Sequence, residues 1–278
     1  MNDVTTYKER IRDFYDVLSP HFRDWWGEHL HDGFYVTGRE TKAEAQDQLV
    51  AELARRADLP VGVRGLDVGC GMGATSIWLA RELGASMTGV TLSSVQVGLA
   101  NELARREGVD ASFRVADADT LETIEPYDFL WMVGVLGHLD DQRAFIDRSP
   151  RLLADGGRFV LGDWVATGEL TDRDRRRYVD PVLEGMLMPT IATRSDYEEW
   201  FRANGYRVLV SEDITDPTRK TWDEGVGIAQ VPGLIKIARG LGRDALGLLK
   251  AIHGMRKAMD RGHIGYGVVV AEKEGGGT

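Results

Sequence analysis

Short apolar runs alternate with helical segments along most of the chain. Strands are predicted at residues 65–69, 86–90, 111–116, 127–133 and 158–163, with helices at 74–83, 93–107 and 141–153 between them. A helix at 195–203 precedes two more strands, at 206–212 and 266–271. The run YDFLWMV at 127–133 is the most apolar, which is typical of a central strand buried on both faces. The alternation predicts a parallel, doubly wound α/β sheet.

Three predicted helical stretches lie outside this alternation. Residues 1–60 form an N-terminal helical cap rich in aromatic side chains, and residues 61–278 form the core. The core carries helical insertions at 165–194 and 215–262. In doubly wound folds, ligands bind beyond the carboxyl ends of the strands, where inserted segments lie. We therefore expect the insertions to act as lids and pocket walls.

The amino-acid composition limits the classes of partner that the chain is expected to bind. The chain has 34 Lys and Arg against 44 Asp and Glu, a formal net charge of −10, which disfavours nucleic acid as the main partner. The single cysteine, Cys70, allows no intrachain disulfide, and the first residues have no apolar signal core. No uncharged apolar run approaches the roughly 20 residues that span a bilayer. We expect a cytoplasmic protein without stable membrane insertion; a homodimer or higher homo-oligomer stays open.

A glycine-rich turn directly follows the first predicted strand. Its sequence, DVGCGMG at 67–73, opens a helix, so a ligand can approach the backbone and its unpaired N–H groups closely. The spacing from Gly69 to Ala74 also satisfies the loose dinucleotide fingerprint. Asp67 argues against a pyrophosphate, which it would repel, and suits a cationic sulfonium amino acid. The second strand leads into VTL at 90–92 without the acid that binds a dinucleotide ribose.

The order of the motifs resembles class I S-adenosylmethionine (AdoMet)-dependent methyltransferases. DVGCGMG is followed by GVTLSSVQ, by VADA and by an apolar strand that leads to HLDD, and the resemblance runs from about Phe14 to Lys273. The chain looks most like the subgroup that contains sterol and tocopherol C-methyltransferases and bacterial natural-product methyltransferases. This resemblance implies a Rossmann-like, seven-stranded sheet with an antiparallel last strand. It also implies AdoMet as the cofactor and S-adenosylhomocysteine as its product.

The same resemblance implies a set of cofactor residues. These are Asp67, Gly69, Cys70, Gly71 and Gly73 around the methionine moiety, Thr91, Leu92, Ser93 and Gln96 near the ribose and adenine, Asp117 and Ala118 at the adenine edge, and Gly134 after the fourth strand. Thr91 stands where many class I enzymes have a ribose-binding acid, so Gln96 is the alternative ribose contact. Asp117 would accept a hydrogen bond from the adenine amine. Tyr35 would close over the cofactor or serve only in packing.

Two side chains are candidates for the proton acceptor. His138 lies in the loop after the fourth strand, its ordinary pKa suits work near neutrality, and the matching histidine of related enzymes is often assigned this role. Asp163 ends the fifth strand and would orient the acceptor, pair with His138 or act as the base itself. Each also admits a purely structural role. Trp164 stands where metal-dependent catechol-type enzymes have asparagine, so no metal is predicted.

Aromatic residues outside the core pattern are candidates for the acceptor site. Trp25, Trp164 and Trp222 would form the walls of an apolar pocket for the acceptor, or would simply pack in the core. The predicted reaction is methyl transfer from AdoMet to carbon or oxygen of a hydrophobic or aromatic small molecule of secondary metabolism, with carbon slightly favoured by analogy. The alternatives are an N-methyltransferase, an AdoMet-binding cyclase or subunit that transfers no methyl group, and a nicotinamide-dependent oxidoreductase.

Overall fold

The computed structural model describes residues 6–168, 170–223 and 234–275 of the chain. Its strands form one sheet in the order β3-β2-β1-β4-β5-β7-β6. They are β1 Arg64–Val68, β2 Ser86–Thr91, β3 Ala111–Val115, β4 Tyr127–Val133, β5 Leu153–Ala166, β6 Tyr206–Asp213 and β7 Ile264–Lys273. The strands from β1 to β5 pair in parallel, and β7 runs antiparallel to both β5 and β6. The predicted seven-stranded, doubly wound sheet with an antiparallel last strand is confirmed.

Helices cover both faces of the sheet and its carboxyl edge. The described α-helices are α1 Tyr7–Trp25, α2 Lys42–Arg56, α3 Ala74–Leu83, α4 Ser94–Glu107, α5 Gln142–Arg148, α6 Asp172–Asp174, α7 Asp180–Gly185, α8 Arg194–Ala203, α9 Thr215–Thr218, α10 Leu234–Leu241 and α11 Arg243–Asp260. A π-helical turn joins α6 to α7. Among the described residues, no helix is both long enough and apolar enough to cross a membrane.

Two element boundaries differ from the sequence prediction for identifiable reasons. The helix predicted from Ser93 begins one residue later because Ser93 is its N-cap, and its hydroxyl accepts a hydrogen bond from Gln96 N at 3.0 Å. The fifth strand was predicted only over 158–163 but runs from Leu153 to Ala166. Its additional length at the carboxyl end comes from the antiparallel pairing with β7, which continues to Ala166. A partner strand that lies about a hundred residues further along the chain leaves no local signal.

The central strand β4 is buried on both faces, as its apolar sequence predicts. Phe129 and Trp131 pack on one face against α2 and α3, and Leu130 and Met132 pack on the other against α5 and α8. All four side chains are at most 1% exposed. This two-sided packing fixes β4 in the middle of the sheet, so that the loop after it opens onto the centre of the carboxyl edge.

A second apolar cluster lies over that carboxyl edge. It is formed by α1, α7, α10 and α11, whose buried side chains pack on one another rather than on the sheet faces. The cluster meets the sheet through Leu92, just after β2, and through Trp164, near the end of β5. Material from both ends of the chain therefore forms a roof over the strand ends.

Candidate active site

Two cavities meet beneath this roof. The glycine-loop cavity has a volume of about 1190 Å³ including its mouth, and is bordered by the turn at 67–73 and by residues that follow β2, β3 and β4. The aromatic cavity has a volume of about 830 Å³, also including its mouth, and lies between α1, the segment 26–32, the end of β5 and α11. Five residues border both cavities, and we call them the junction: Tyr15, Leu30, His31, Gly134 and His138. A chemical group that is transferred between a ligand in one cavity and a ligand in the other has to cross the junction.

The turn after β1 requires glycine for two different reasons. Gly69, Gly71 and Gly73 all have positive φ angles, of 76°, 54° and 85°. A Cβ atom at Gly69 would lie 2.4 Å from Val135 Cγ2, and one at Gly73 would lie 2.7 Å from Ala100 Cβ. Gly73 serves the packing of α3 against α4 and does not border the cavity. Helix α3 begins without a side-chain cap, so its first N–H groups are available to a ligand.

Asp67 is an acid buried in the wall of the glycine-loop cavity. Its side chain is 3% exposed, and its Oδ2 accepts one hydrogen bond, from Ser76 Oγ at 2.6 Å. Burial raises the pKa of Asp67 to about 7, although the Ser76 hydrogen bond acts to lower it. A buried carboxyl with a single hydrogen bond is stabilised in its ionised form when a cation binds beside it.

The other predicted cofactor residues surround the same space. Those that border the glycine-loop cavity are Asp67, Gly69, Cys70, Gly71, Thr91, Leu92, Ser93, Gln96, Asp117, Ala118 and Gly134. Thr91 donates to Gln96 Oε1 at 2.6 Å, and Gln96 Nε2 donates to Ser19 Oγ at 3.0 Å. Asp16 on α1 accepts a hydrogen bond from the Ser93 hydroxyl. Helix α1 thus holds Ser93, which borders the cavity, through an acid that the motifs alone did not reveal.

Helix α1 is also tied to the predicted adenine edge by an ion pair. Lys8 Nζ lies 2.6 Å from both Asp117 Oδ2 and Asp119 Oδ2, and these three side chains are between 25% and 34% exposed. Asp117 Oδ1 accepts from the backbone N of Asp119 at 2.9 Å. Asp117 therefore borders the cavity with both oxygens engaged. Its contact with the adenine amine stays a prediction, and its observed partner is the helix that covers the cavity.

The junction carries a hydrogen-bonded pair of titratable side chains. Tyr15 Oη lies 2.9 Å from His138 Nε2, and His138 Nδ1 lies 2.9 Å from the carbonyl oxygen of Leu187. A carbonyl only accepts, so Nδ1 carries the hydrogen and Nε2 accepts from the Tyr15 hydroxyl. Burial lowers the pKa of His138, so that the imidazole is neutral near pH 7. The pair places an unprotonated ring nitrogen and a phenol where the two cavities meet.

Asp163 lies below the same loop and is bonded to backbone rather than to His138. Its Oδ2 accepts from Gly137 N at 3.2 Å and its Oδ1 from Trp164 N at 2.8 Å. Burial raises its pKa to about 6, while these backbone N–H groups act to lower it. The described residues include no hydrogen bond between Asp163 and His138. Asp163 borders the aromatic cavity and holds the loop that carries His138.

The aromatic cavity contains one acid that the sequence did not single out. Trp164 Nε1 donates to Asp32 Oδ2 at 2.7 Å, and the ring of Trp164 lies edge-on to that of Trp222 with centroids 5.6 Å apart. Trp26 lies against Trp222 at 5.5 Å. Burial raises the pKa of Asp32 to about 7, against the lowering effect of side-chain hydrogen bonds from the indoles of Trp164 and Trp222. The cavity is thus apolar with a polar patch in its wall.

Besides Gly73, one predicted cofactor residue, Tyr35, lies away from both cavities. Tyr35 is not among the described residues that border either cavity: its backbone N donates to Pro217 O at 2.9 Å, and Lys220 Nζ lies 5.1 Å from its ring centroid. The segment turns outward before reaching Tyr35, so the aromatic side chain at the cofactor side of the junction is Tyr15 instead. Trp25 ends α1, and its side chain lies outside the described residues. Trp164 and Trp222 do border the aromatic cavity.

Comparison with known proteins identifies the fold and the chemistry together. A family profile described as a methyltransferase domain matches residues 39–211, well over half of the chain. The chain belongs to the methyltransferase domain family. This membership agrees with the order of the motifs and with the cavity built on the glycine turn. It confirms the predicted AdoMet-dependent methyl transfer to a small molecule and the predicted cofactor.

Relatives of this methyltransferase are known from bacteria and plants. It is similar to 27-O-demethylrifamycin SV methyltransferase of Amycolatopsis mediterranei (strain S699), with 31% identity over 215 residues, or 75% of this chain and 77% of the relative. It is 26% identical over 287 residues to the chloroplastic tocopherol O-methyltransferase of Arabidopsis thaliana, covering 96% and 82% of the two chains. Among solved structures, that of the [4+2]-cyclase SpnF matches with a TM-score of 0.82 and 28% identity over 98% of this chain and 97% of SpnF.

The residues of the glycine-loop cavity fit the cofactor of the family. The buried carboxyl of Asp67 suits the ammonium group of an amino acid, and the glycine turn leaves a cradle that a Cβ at Gly71 would narrow, because that atom would lie 3.2 Å from Leu30 Cδ1. Trp131 borders the cavity with an indole N–H that has no hydrogen-bond partner in the described chain. No group of three or more potential metal ligands occurs among the described residues.

The N-terminal segment of the methyltransferase is held to the glycine turn by a chain of hydrogen bonds. Thr75, in the first turn of α3, lies 3.2 Å from His29 Nδ1 and 3.3 Å from His31 Nε2, and His31 Nδ1 donates to Asp32 O at 2.7 Å. His29 also contacts Asp47 at 3.0 Å. The two histidines therefore fix the backbone that carries Leu30 and Asp32. Sequence spacing gave no signal of this role.

Proposed function

We propose that this methyltransferase transfers the methyl group of AdoMet to a hydroxyl oxygen of a hydrophobic small molecule, with His138 as the proton acceptor. The observation that carries the proposal is the hydrogen bond between Tyr15 Oη and His138 Nε2 at the junction. A hydroxyl is a weak nucleophile until its proton is removed, so a neutral base at this point serves oxygen more than a ring carbon. The O-methyltransferases of rifamycin and tocopherol among its relatives support the same acceptor atom.

Each residue has a distinct part in this reaction. Bound AdoMet supplies an electrophilic methyl group on a sulfonium. Asp67 would pair with the ammonium group of the cofactor, and the loop after β1 would hold its methionine moiety. Tyr15 Oη accepts the proton of the acceptor hydroxyl while it passes its own proton to His138 Nε2. The oxygen–methyl bond forms as the sulfur–methyl bond breaks, and S-adenosylhomocysteine and the methyl ether are the products.

Asp163 positions the base in this proposal. Its two oxygens are occupied by the N–H groups of Gly137 and Trp164, so it holds the His138 loop and takes no proton from the acceptor. The carbonyl of Leu187, which is itself held at a φ of 52°, fixes the His138 tautomer from the other side. The proton acceptor is thereby oriented from both the sheet and the insertion.

The first test is turnover with a panel of hydrophobic alcohols and phenols and AdoMet labelled in its methyl group. We expect a product heavier by one CH2 in which the label is a methoxy group. In His138→Gln, kcat should fall by about 10²–10⁴-fold, the range for loss of a general base, while the affinity for S-adenosylhomocysteine stays unchanged. Tyr15→Phe should also lower kcat with little change in cofactor affinity. Label on carbon or nitrogen, or full activity of His138→Gln, would contradict the proposal.

A second candidate is supported by one relative. The [4+2]-cyclase SpnF, at 28% identity over nearly the whole chain, carries a name that describes ring formation rather than methyl transfer. A cyclase would give a product of unchanged mass and altered retention, with no consumption of AdoMet. The labelled-methyl assay separates the two candidates in one measurement, because only the transferase moves the label.

A further inference from the structure

A tryptophan in the wall of the glycine-loop cavity has an indole N–H without a hydrogen-bond partner in the described chain. This residue is Trp131 on β4, whose side chain is 1% exposed and which borders the cavity. Buried polar groups are nearly always hydrogen-bonded, because an unpaired one loses its hydration without compensation. Trp131 otherwise packs in an apolar cluster formed by α2, α3 and the sheet. The cavity is therefore the place where its partner should lie.

Trp131 stands beside Asp67 on the sheet. The two residues are the last registered pair between the parallel strands β1 and β4, near the carboxyl ends of both. Paired residues of neighbouring strands project from the same face, and such strands lie about 4.8 Å apart, so the two side chains flank each other. The indole nevertheless does not donate to this carboxyl, because the pKa of Asp67 reflects only burial and the hydrogen bond from Ser76. An unused donor and a buried acid therefore lie next to each other in the cavity wall.

The order of the strands relates Trp131 to one half of the cofactor. Thr91 ends β2 and Asp117 follows β3, on the predicted ribose and adenine side, and Trp131 on β4 lies across β1 from both. Trp131 is therefore on the side of the predicted methionine moiety. An indole N–H only donates a hydrogen bond. Of the ammonium, sulfonium and carboxylate groups of that moiety, only the carboxylate accepts one, so it is the group that fits the unused donor.

We propose that the indole N–H of Trp131 donates a hydrogen bond to the carboxylate of the AdoMet methionine moiety. Asp67 and Trp131 would then recognise the two charged ends of one amino acid, the ammonium group and the carboxylate. A lysine or arginine beside Asp67 would pair with that acid itself, whereas the neutral indole leaves Asp67 available to the ligand. This inference rests on the cofactor-binding part of the proposed function and is independent of which acceptor atom is methylated.

The test compares two ligands that differ only by the carboxylate. Wild-type protein and Trp131→Phe, which keeps an aromatic ring but loses the N–H, are titrated by calorimetry with S-adenosylhomocysteine and with its decarboxylated analogue. The analogue keeps the ammonium group, the sulfur and the adenosine. We expect Trp131→Phe to bind S-adenosylhomocysteine about tenfold or more weakly than the wild type does, the effect of one hydrogen bond to a charged group. Its affinity for the analogue should stay within about threefold of the wild-type value.

Trp200→Phe is the matched control, because Trp200 lies on α8 and is not among the described residues that border either cavity. This variant should bind both ligands as the wild type does. A second measurement uses only the wild-type protein and follows the indole proton of Trp131 by nuclear magnetic resonance, assigned among the seven tryptophans through its connection to the backbone. The signal should move downfield when S-adenosylhomocysteine binds and should move much less with the analogue.

Three outcomes would overturn the inference. An equal loss of affinity for both ligands in Trp131→Phe would show that the indole only maintains the shape of the cavity. Wild-type affinity for both ligands in this variant would make a buried water the partner of the N–H. A shift of the Trp131 proton of the same size with both ligands would exclude the carboxylate as its acceptor. Neither measurement involves methyl transfer, so failure of the proposed hydroxyl methylation appears only in the turnover assay.

Discussion

The glycine-loop cavity and the aromatic cavity of this methyltransferase are built in different ways. The first is built around the turn at 67–73 and residues that follow β2 and β3, with further polar side chains from α1 and the segment 28–31. The second is assembled from α1, the segment 26–32, the end of β5, Trp222 and α11. Local turn geometry therefore determines where the cofactor binds, and tertiary packing determines what the acceptor contacts. A substitution in one cavity should leave ligand binding in the other largely intact.

The largest difference between the effects on cofactor binding and on acceptor binding is expected for Asp67→Asn. The amide keeps the shape of the side chain but cannot pair with the cofactor's ammonium group. Removing one partner of a buried ion pair costs about 3–5 kcal/mol, so the affinity for S-adenosylhomocysteine should fall by at least about 100-fold. Calorimetric titration with S-adenosylhomocysteine measures this loss of affinity.

Ser76→Ala is the matched control for that substitution. It removes the single hydrogen bond to Asp67 and keeps the charge, so its effect should stay within about tenfold. Binding of an aromatic acceptor probe, such as a phenol that the turnover assay accepts, should be nearly unchanged in both variants. Cofactor binding by Asp67→Asn at wild-type strength would contradict the assignment of the carboxyl to the cofactor site.

A pH titration of cofactor affinity should sharpen the contrast. The pKa of Asp67 without ligand is raised to about 7 by burial, and only its ionised form pairs with a cation. Affinity should therefore be full above about pH 8 and should fall by about tenfold between pH 8 and pH 6 as the carboxyl takes up a proton. Asp32 and Asp163 titrate in a similar range but line the aromatic cavity. Asp67→Asn should abolish the pH dependence of cofactor affinity. If the affinity of this variant still changes with pH, another group is responsible for the change.

The smallest effect is expected at the ion pair that ties α1 to the predicted adenine edge of the glycine-loop cavity. Lys8 holds α1 to Asp117 and Asp119 across a partly exposed ion pair, so Lys8→Met should speed release of S-adenosylhomocysteine by only about two- to fivefold. Stopped-flow displacement measures the rate. Added salt should speed release from the wild type and leave the variant almost unaffected. Equal salt dependence in both proteins would show that this ion pair does not hold α1 closed.

The two cavities also differ in what could be predicted from the sequence. The turn at 67–73 was recognisable because its glycines, its acid and its place after a strand all lie within a few residues. Asp32 was not, because its partner Trp164 lies 132 residues further along the chain and nothing local distinguishes it from an ordinary loop acid. Tyr15 was missed as a site residue for the same reason, since His138 lies 123 residues away. Tyr35 was assigned by resemblance, and the path of the backbone carries it elsewhere.

The strands likewise differ in how well their bounds could be predicted from the sequence. The bounds of β4 matched its apolar run because a strand buried on both faces shows its whole length as hydrophobic sequence. The end of β5 did not, since its last residues are fixed by pairing with β7. The insertions were predicted as helical, yet which side chains they present to the cavities depended on the packing of α7 against α11, which no local pattern specifies.

The position of Leu30 has a consequence for the order of events in each catalytic cycle. Leu30 lies over Gly71 in the glycine turn and also borders the aromatic cavity, so the bound cofactor and the acceptor share one wall. An acceptor that arrives first stands against this wall and hinders the cofactor from entering beneath it. The enzyme should therefore load AdoMet before the acceptor and discharge S-adenosylhomocysteine last. In a cell, its turnover rate would then depend on the ratio of AdoMet to S-adenosylhomocysteine as strongly as on the concentration of the acceptor.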